Sequence, residues 1–450
     1  MTQNDYNILL DSIRNMIQEK AYPDLERLLI EPHPADLADL IEHLEGEERL
    51  SVFTLLSSDR AGEVLKEISA PVQESLTQGL DDKAIAAILN ELNSDDATDI
   101  VSHLPRERAQ KIIGLVQPEV SEELQKLLEY KTDTAGGIMA LEFVSVNAGS
   151  TIEEAIETIR KKREEVEKLY YVWAVDDSGR LAGVVSIKDL VLEPQDRKIK
   201  DIMNPDVISV DVNADQEEVA RVAKQYDLAN IPVVNFQHKL VGRITNDDII
   251  DVIEQEASED ISLMAGVMDQ QIGEASALKI SRARLPWLLL CLIGELLSAL
   301  VINHFHGSLE KILALSFFIP VVMAMGGSTG NQAATVVIRG LATGDISIIH
   351  TGKRLLVELW VALINGVICG ILLGLVVAFW LSDPQLGMGV GASLITVILF
   401  SGTYGASIPF LLSKLNIDPA LAAGPFITTS NDVLGLLIYL GIITHFLMAG

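Results

Sequence analysis

Residues 320–340 read PVVMAMGGSTGNQAATVVIRG, an apolar stretch interrupted at its middle by Gly326, Gly327, Ser328, Thr329, Gly330, Asn331 and Gln332. A helix needs about 20 mainly apolar residues to cross a bilayer core, and polar groups inside such a stretch are costly enough to carry information. The run lacks the lysine of a phosphate-binding loop. Two readings stand. Small residues allow helices to pack closely. Alternatively, irregular backbone lines a watery path, glycine exposing carbonyls and Asn331 and Gln332 adding amide oxygens. The second is the expectation here.

The stretch is one of five, over 285–303, 312–338, 355–381, 386–413 and 420–447. Buried helices of a soluble protein do not account for five such runs in succession. Arg282, Arg284, Arg339, Lys353, Arg354 and Lys414 fall on one side of these spans and only Lys311 on the other. That bias places the N-terminal part in the cytoplasm of a multi-pass cell-membrane protein. An odd number of spans then puts the C-terminus outside. The N-terminus has no pattern of a cleaved signal.

The last span, DPALAAGPFITTSNDVLGLLIYL, carries Asp432 with no basic residue nearby in sequence. Gly424-Pro425 breaks the helix there, and Thr428, Thr429, Ser430 and Asn431 add oxygens. An ionised aspartate at membrane depth needs a partner or water, and a permeating cation is the simplest partner. Glu295 and Glu358 are weaker candidates. Glu295 either faces the path or is simply protonated, and Glu358 lies close to the cytoplasmic end of its span. Without a histidine or cysteine cluster, zinc and copper are disfavoured. Oxygen donors suit Mg2+, Ca2+ or Mn2+, and one carboxylate among neutral oxygens suits Mg2+, which sheds water reluctantly.

The charge is unevenly spread. The chain of 450 residues carries −29, yet 281–450 holds seven basic and seven acidic side chains, so the whole excess lies in 1–280. Such a head repels nucleic acid, which is excluded as a partner, and attracts cations. Cys291 and Cys369 both sit in apolar runs and form no disulfide framework.

Residues 139–254 contain a repeat. Ile138-Met139 followed by Val144-Ser145-Val146 matches Ile202-Met203 followed by Ile208-Ser209-Val210. Each copy continues with a helical stretch, an apolar strand and a hairpin, closing in GRLAGVVSIKDLV and HKLVGRITNDDII. This β-α-β-β-α pattern resembles a tandem CBS pair. Ser186, Asp189 and Thr245 stand where that family often holds an adenosine ribose, which makes ATP or another adenine nucleotide a candidate ligand. The same residues equally serve as helix caps. Residues 1–130 show short amphipathic segments, among them ADLADLIEHL and AIAAILNEL. Helices so short must stack on one another, which points to a superhelical array. Residues 247–284 form an acid-rich connecting helix, either a solvated face or a place where divalent ions bridge neighbouring units.

In this order the parts resemble the MgtE magnesium channels along nearly the whole chain, with PVVMAMGGSTGNQAATVVIRGLATGDI and the DPA, GPF and ND of the last span the most specific pieces. The resemblance implies a multidomain membrane protein: a superhelical N-domain (1–130), an α+β CBS pair (131–198 and 199–254), a connecting plug helix (255–284) and a five-helix pore domain (285–450). It implies a homodimer in the lipid bilayer, with Mg2+ passing between spans two and five of both copies. Asp432 takes the acidic filter position, and Asn331, Thr335, Gly327 and Thr428 match its lining. Gly424 stands where some members have asparagine. The resemblance also implies Mg2+ bound between the cytoplasmic parts, with matching acids at Glu63, Asp95, Asp99, Glu217, Asp227, Asp248, Asp251, Glu256, Glu259 and Asp260. Transport of Mn2+ or Co2+, and a membrane-anchored CBS regulator, are the competing readings. No Ser/His pair or HExxH in the spans points to an intramembrane enzyme, and channel and coupled carrier both stay open.

Overall fold

The computed structural model describes residues 3–163, 169–267, 277–343, 346, 351–415, 417–422 and 424–448. Part of the connecting stretch, 268–276, therefore lies outside the described residues. The chain divides into two compact units, Met1–Glu254 and Gln255–Gly450.

The first unit begins with ten helices: α1 Gln3–Gln18, α2 Tyr22–Leu28, α3 Pro34–Glu42, α4 Gly46–Phe53, α5 Ser58–Lys66, α6 Ala70–Gly79, α7 Asp82–Leu89, α8 Ser94–Ser102, α9 Arg106–Ile113 and α10 Pro118–Leu127. Most are shorter than the 12–15 residues or so at which an isolated helix becomes even marginally stable in water. Packing must therefore hold them. α3 meets α5, α5 meets α7 and α7 meets α9, each helix touching the next but one. The result is the expected superhelical array around one apolar core that includes Leu37, Ile41, Phe53, Leu65, Ile85, Leu89 and Ile100.

Two equivalent three-stranded sheets follow. β1 Ser145–Asn147, α11 Ile152–Lys161, β2 Tyr171–Val175, β3 Leu181–Ser186 and α12 Ile187–Leu192 form the first repeat. β4 Val210–Asp211, α13 Gln216–Tyr226, β5 Asn230–Val234, β6 Leu240–Thr245 and α14 Asn246–Met264 form the second. In both, the first strand pairs parallel with the second and the second antiparallel with the third. The lead-in segments are exchanged. Ala140 pairs with Arg243 of the second sheet, and Asn204 pairs with Val184 of the first. Each crossing needs a glycine beneath it. A Cβ on Gly183 would stand 2.6 Å from Met203 Sδ and 3.0 Å from the Asn204 carbonyl, and one on Gly242 would stand 2.5 Å from Met139 Sδ and 3.0 Å from the Ala140 carbonyl.

The second unit holds α15 Ala277–His304, α16 His306–Lys311, α17 Ile319–Ala342, α18 Thr351–Leu381, α19 Pro384–Lys414 and α20 Pro425–Met448. Five of its helices are long and apolar enough to cross a membrane. α19 lies at the centre, against α17, α18 and α20. α18 and α19 approach backbone to backbone through Gly370, Gly374, Gly387 and Gly391, the close contact that small residues permit in lipid. α20 starts at Pro425 because Gly424 takes a left-handed conformation (φ +63°).

One expectation is overturned. The run 326–332 is not irregular backbone: α17 is helical throughout. Its glycines are packing contacts. A Cβ on Gly326 would meet Val397, and one on Gly330 would collide with Asn431. The Thr329 hydroxyl donates to the Met325 carbonyl at 2.7 Å, inside the helix. The main-chain carbonyls are thus spent on the helix, and polar lining must come from side chains.

The exchanged crossings can be tested. Gly183→Ala sets a Cβ against rigid backbone at Asn204, an overpacking cost of about 1–3 kcal/mol. Thermal unfolding of the purified chain, followed by circular dichroism, should show an earlier soluble-region transition. An unchanged transition would mean the crossing is looser than these distances say.

Candidate functional site

Asp432 is only 7% exposed and Asn431 beside it 1%. Thr428 lies one turn earlier on the same face of α20, and its hydroxyl accepts a hydrogen bond from Asn331 Nδ2 of α17 at 3.1 Å. Gly327 of α17 faces Thr428, a Cβ there standing 3.6 Å from the Thr428 methyl. The Asn331 Oδ1 atom and both amide atoms of Asn431 are buried with no hydrogen-bond partner among the described residues. Buried polar atoms in folded proteins nearly always have a partner, so these oxygens mark a place suited to a polar ligand. Thr335 is exposed one turn beyond Asn331. From α15, Glu295 is brought near Asp432 by the packing of that helix on α20.

Glu358 is a different case. It is 7% exposed and hydrogen-bonded to Arg354, one turn back on α18. A buried carboxylate with its own guanidinium is an internal ion pair, leaving Asp432 and Glu295 as the carboxyls of the spans without a basic neighbour among the described residues.

In the first unit the acids of α8 meet those at the start of α14. Asp95 is pushed above its usual range by burial first, then by Asp248 and Asp96. Asp248 is pushed to about 6, burial outweighing its hydrogen bonds from Thr245. Asp99 still reaches water, yet desolvation, then Asp96, Asp248 and Asp251, raise it to about 7. Asp251 is raised by desolvation, then by Glu67 and Asp247. Close carboxylates in one region repel, and a proton or cation between them relieves the repulsion. Of the acids expected from sequence, Asp95, Asp99, Asp248 and Asp251 thus come together. Asp247, one of the acids that the sequence crowds into the connecting helix, joins them, as do Asp96 and Glu67, which sequence reasoning missed. Glu63 lies one turn before Glu67 on α5. Glu217 and Asp227 sit at opposite ends of α13, about 15 Å apart at the helical rise, so one ion cannot bind both. Glu142 holds the head of α8, accepting from the Ser94 amide and hydroxyl at 2.8 Å each.

In the second unit Asp260 is raised to about 6 by desolvation, then by Asp418, Glu256 and Glu259. Asp418, in the turn before α20, was also missed. Its signal, an acid followed by the helix-starting Pro419-Ala420, was read only as part of a motif. The C-terminus of α14 sits against that region: the Met264 carbonyl abuts Gly424 and left-handed Gly266 abuts Pro425. Among the described residues no group of three or more His, Cys, Asp or Glu is placed to hold a metal ion.

Ser186 and Thr245 are caps. The Asp189 amide donates to Ser186 Oγ at 3.1 Å, and the Ser186 hydroxyl donates to Asp189 at 2.6 Å. The Thr245 amide donates to Asp248 at 3.0 Å, and its hydroxyl reaches both Asp247 and Asp248. Asp248 therefore belongs at once to the capping motif and to the acidic group.

Three family profiles match the chain: an MgtE intracellular N domain over 32–133, CBS domains over 135–196 and 199–255, and a divalent cation transporter (MgtE) over 319–442. The magnesium transporter MgtE of Thermus thermophilus is 38% identical over 96% of this chain and 97% of its own length. The chain belongs to the MgtE family. The magnesium transporter MgtE of Bacillus subtilis is 32% identical over 99% of both chains. Among solved structures, the cytosolic domain of the Mg2+ channel MgtE in complex with ATP aligns at a TM-score of 0.52 and 37% identity, over 54% of this chain and 99% of that one. The soluble part of a magnesium transporter aligns at 0.51 and 30%, over 56% and 99%. The MgtE assignment makes the chain a multidomain membrane transporter built of a helical N-domain, a CBS pair and membrane helices, as the sequence led one to expect.

A pH dependence follows from the raised acids. Their folded pKa lies above the ordinary 3.8, so the folded state binds more protons than the unfolded state between about pH 4 and 7. Stability in metal-free buffer should fall as pH rises through that window and level off above it. Thermal unfolding in EDTA at pH 5 and pH 8 measures the slope, and Asp95→Asn should flatten it. A slope of opposite sign would contradict the electrostatics described.

Proposed function

We propose that this chain carries Mg2+ across the cell membrane, in a homodimer whose path runs between α17 and α20 of both copies. The observation that carries the reading is Asp432, a buried acid without a basic neighbour among the described residues; Asn431 beside it on α20 and Asn331 of α17, which bonds to Thr428, carry amide oxygens that lack partners among those residues. The oxygen-only donor set supports a hard divalent ion, and the relatives described as magnesium transporters support Mg2+ over Mn2+ or Co2+. Asn331, Thr335, Gly327 and Thr428 line the path beside Asp432. Because α17 is helical, the lining oxygens are those of side chains.

The chain works in five parts in this reading: the N-domain 1–130, CBS repeats 131–198 and 199–254, the connecting helix 255–284 and the pore domain 285–450. The N-terminal parts face the cytoplasm and the C-terminus the outside. Cytoplasmic Mg2+ is sensed by the acids. Asp95, Asp99, Asp248 and Asp251 form one group, Glu256, Glu259 and Asp260 another on the plug, and Glu63, Glu217 and Asp227 contribute elsewhere. Binding offsets carboxylate repulsion and favours the compact head by mass action. An adenine nucleotide binds at Ser186, Asp189 and Thr245, a reading supported by the related cytosolic domain solved with ATP. Since Thr245 is hydrogen-bonded to Asp248, nucleotide and Mg2+ influence each other's binding. The chemistry is translocation of an ion, with no covalent step.

Two measurements test this. Asp432→Ala in liposomes should abolish Mg2+ uptake in protein that still elutes as the intact oligomer; normal flux would sink the path. Raising internal Mg2+ from micromolar to about ten millimolar, the range of exposed oxygen sites, should close the channel and protect residues 1–280 from protease. If neither flux nor cleavage changes, the acids are a solvated surface and no sensor.

A further inference from the structure

Glu295 has no part in the path as described, yet the packing of α15 delivers it there. α15 and α20 touch where a Cβ on Gly294 would fall on the Thr429 methyl. Glu295 is the next residue on α15, and Asp432 lies one turn beyond Thr429, on the same side of α20. The two carboxyls are thereby brought near one another where α15 packs on α20. Their exposure differs: Asp432 is buried, whereas Glu295 keeps an open face at the surface of the single chain.

A second observation concerns Ser298. It follows Gly294 by one turn, on the α15 face turned to α20. In the spans, the hydroxyls of Thr329, Ser393, Thr403, Ser407 and Ser430 each donate to the carbonyl four residues back. The Ser298 hydroxyl does not: it is 2% exposed and has no partner among the described residues. A buried hydroxyl without a partner on this contact face, like that of Ser401 on α19, is free to bind water.

We infer that Glu295 is a second carboxylate ligand of the ion path, so that each chain offers a divalent cation two carboxylates, from α15 and α20, with Ser298 as their polar neighbour. The inference rests on the assignment of Asp432 to the path. Two adjacent carboxylates in a low-dielectric region repel strongly unless positive charge lies between them. They therefore favour a divalent over a monovalent ion more than one carboxylate does. If the pair served only to hold α15 against α20, a neutral side chain of the same shape would serve as well.

Glu295→Gln keeps shape and hydrogen-bonding capacity and removes the charge. In liposomes containing the full-length protein, the half-saturating Mg2+ concentration should rise roughly tenfold, since ligand charge count moves the affinity of oxygen sites across decades. The ratio of Na+ leak to Mg2+ flux should rise with it. Glu295→Asp, which restores the charge on a shorter arm, should recover part of both. If Glu295→Gln matches the parent protein in both readouts while Asp432→Ala is silent, the inference fails and the path stands. If Asp432→Ala conducts normally, the path itself fails. Should Glu295→Gln not fold, Glu295→Asp decides: a shifted half-saturation supports the ligand role, and an unchanged one overturns it.

Discussion

A carboxylate withdrawn from water must acquire a positive partner, take up a proton or stay costly. That constraint recurs in both units of this chain. In the spans the Glu358 carboxyl meets it internally through Arg354, and Asp432 does not. In the first unit Lys66 approaches Asp96 at 3.8 Å, but Asp95, Asp99, Asp248 and Asp251 press on one another. Acids that satisfy themselves hold the fold; acids that do not leave a repulsion that a proton or a cation would relieve. The distinction is a matter of which side chain lies within reach, and the helix packing decides that.

Much of this was legible from sequence, and for a physical reason. An acid inside an apolar run stands out against its surroundings, so Asp432 could be found by composition alone. The five spans, the internal repeat and the short stacked helices are likewise periodic or local signals, and they appear where the periodicity put them. The capping motifs at Ser186 and Thr245 are local too, spanning three residues. What escaped was long-range or ambiguous. Glu67 and Asp418 matter only because folding brings them to Asp251 and Asp260, and no spacing along the chain announces that. Glu358 looked like a candidate of the same kind as Glu295 until the helix placed Arg354 beside it.

The polar run of α17 shows how one composition serves two geometries. Polar and glycine residues in the middle of an apolar span suit a watery path, which favoured irregular backbone, and their helix propensity is weak. In lipid the unpaired backbone of an irregular stretch is costlier than the weak propensity, and close neighbours reward the missing side chains. Gly326 and Gly330 are filled by Val397, Ile427 and Asn431, so packing overrides propensity. The surviving part of the sequence reading is the side-chain chemistry: Asn331 still turns its carboxamide to Thr428.

The exchanged lead-in segments of the two CBS repeats have an evolutionary corollary. Met139 closes over the glycine of the second sheet and Met203 over that of the first. Each half therefore supplies a piece of its sibling, and neither is a self-sufficient module. After a gene duplication such a clasp ties the copies together: Gly183 is constrained by Met203 and Gly242 by Met139, residue against residue across the repeat. The surfaces can diverge, only the second repeat setting its acids against those of α8, while the reciprocal joint restrains drift at its own four positions. Asymmetric specialisation on a symmetric hinge is the expected history of such a pair, and a cut between the repeats would strip both of a covering strand.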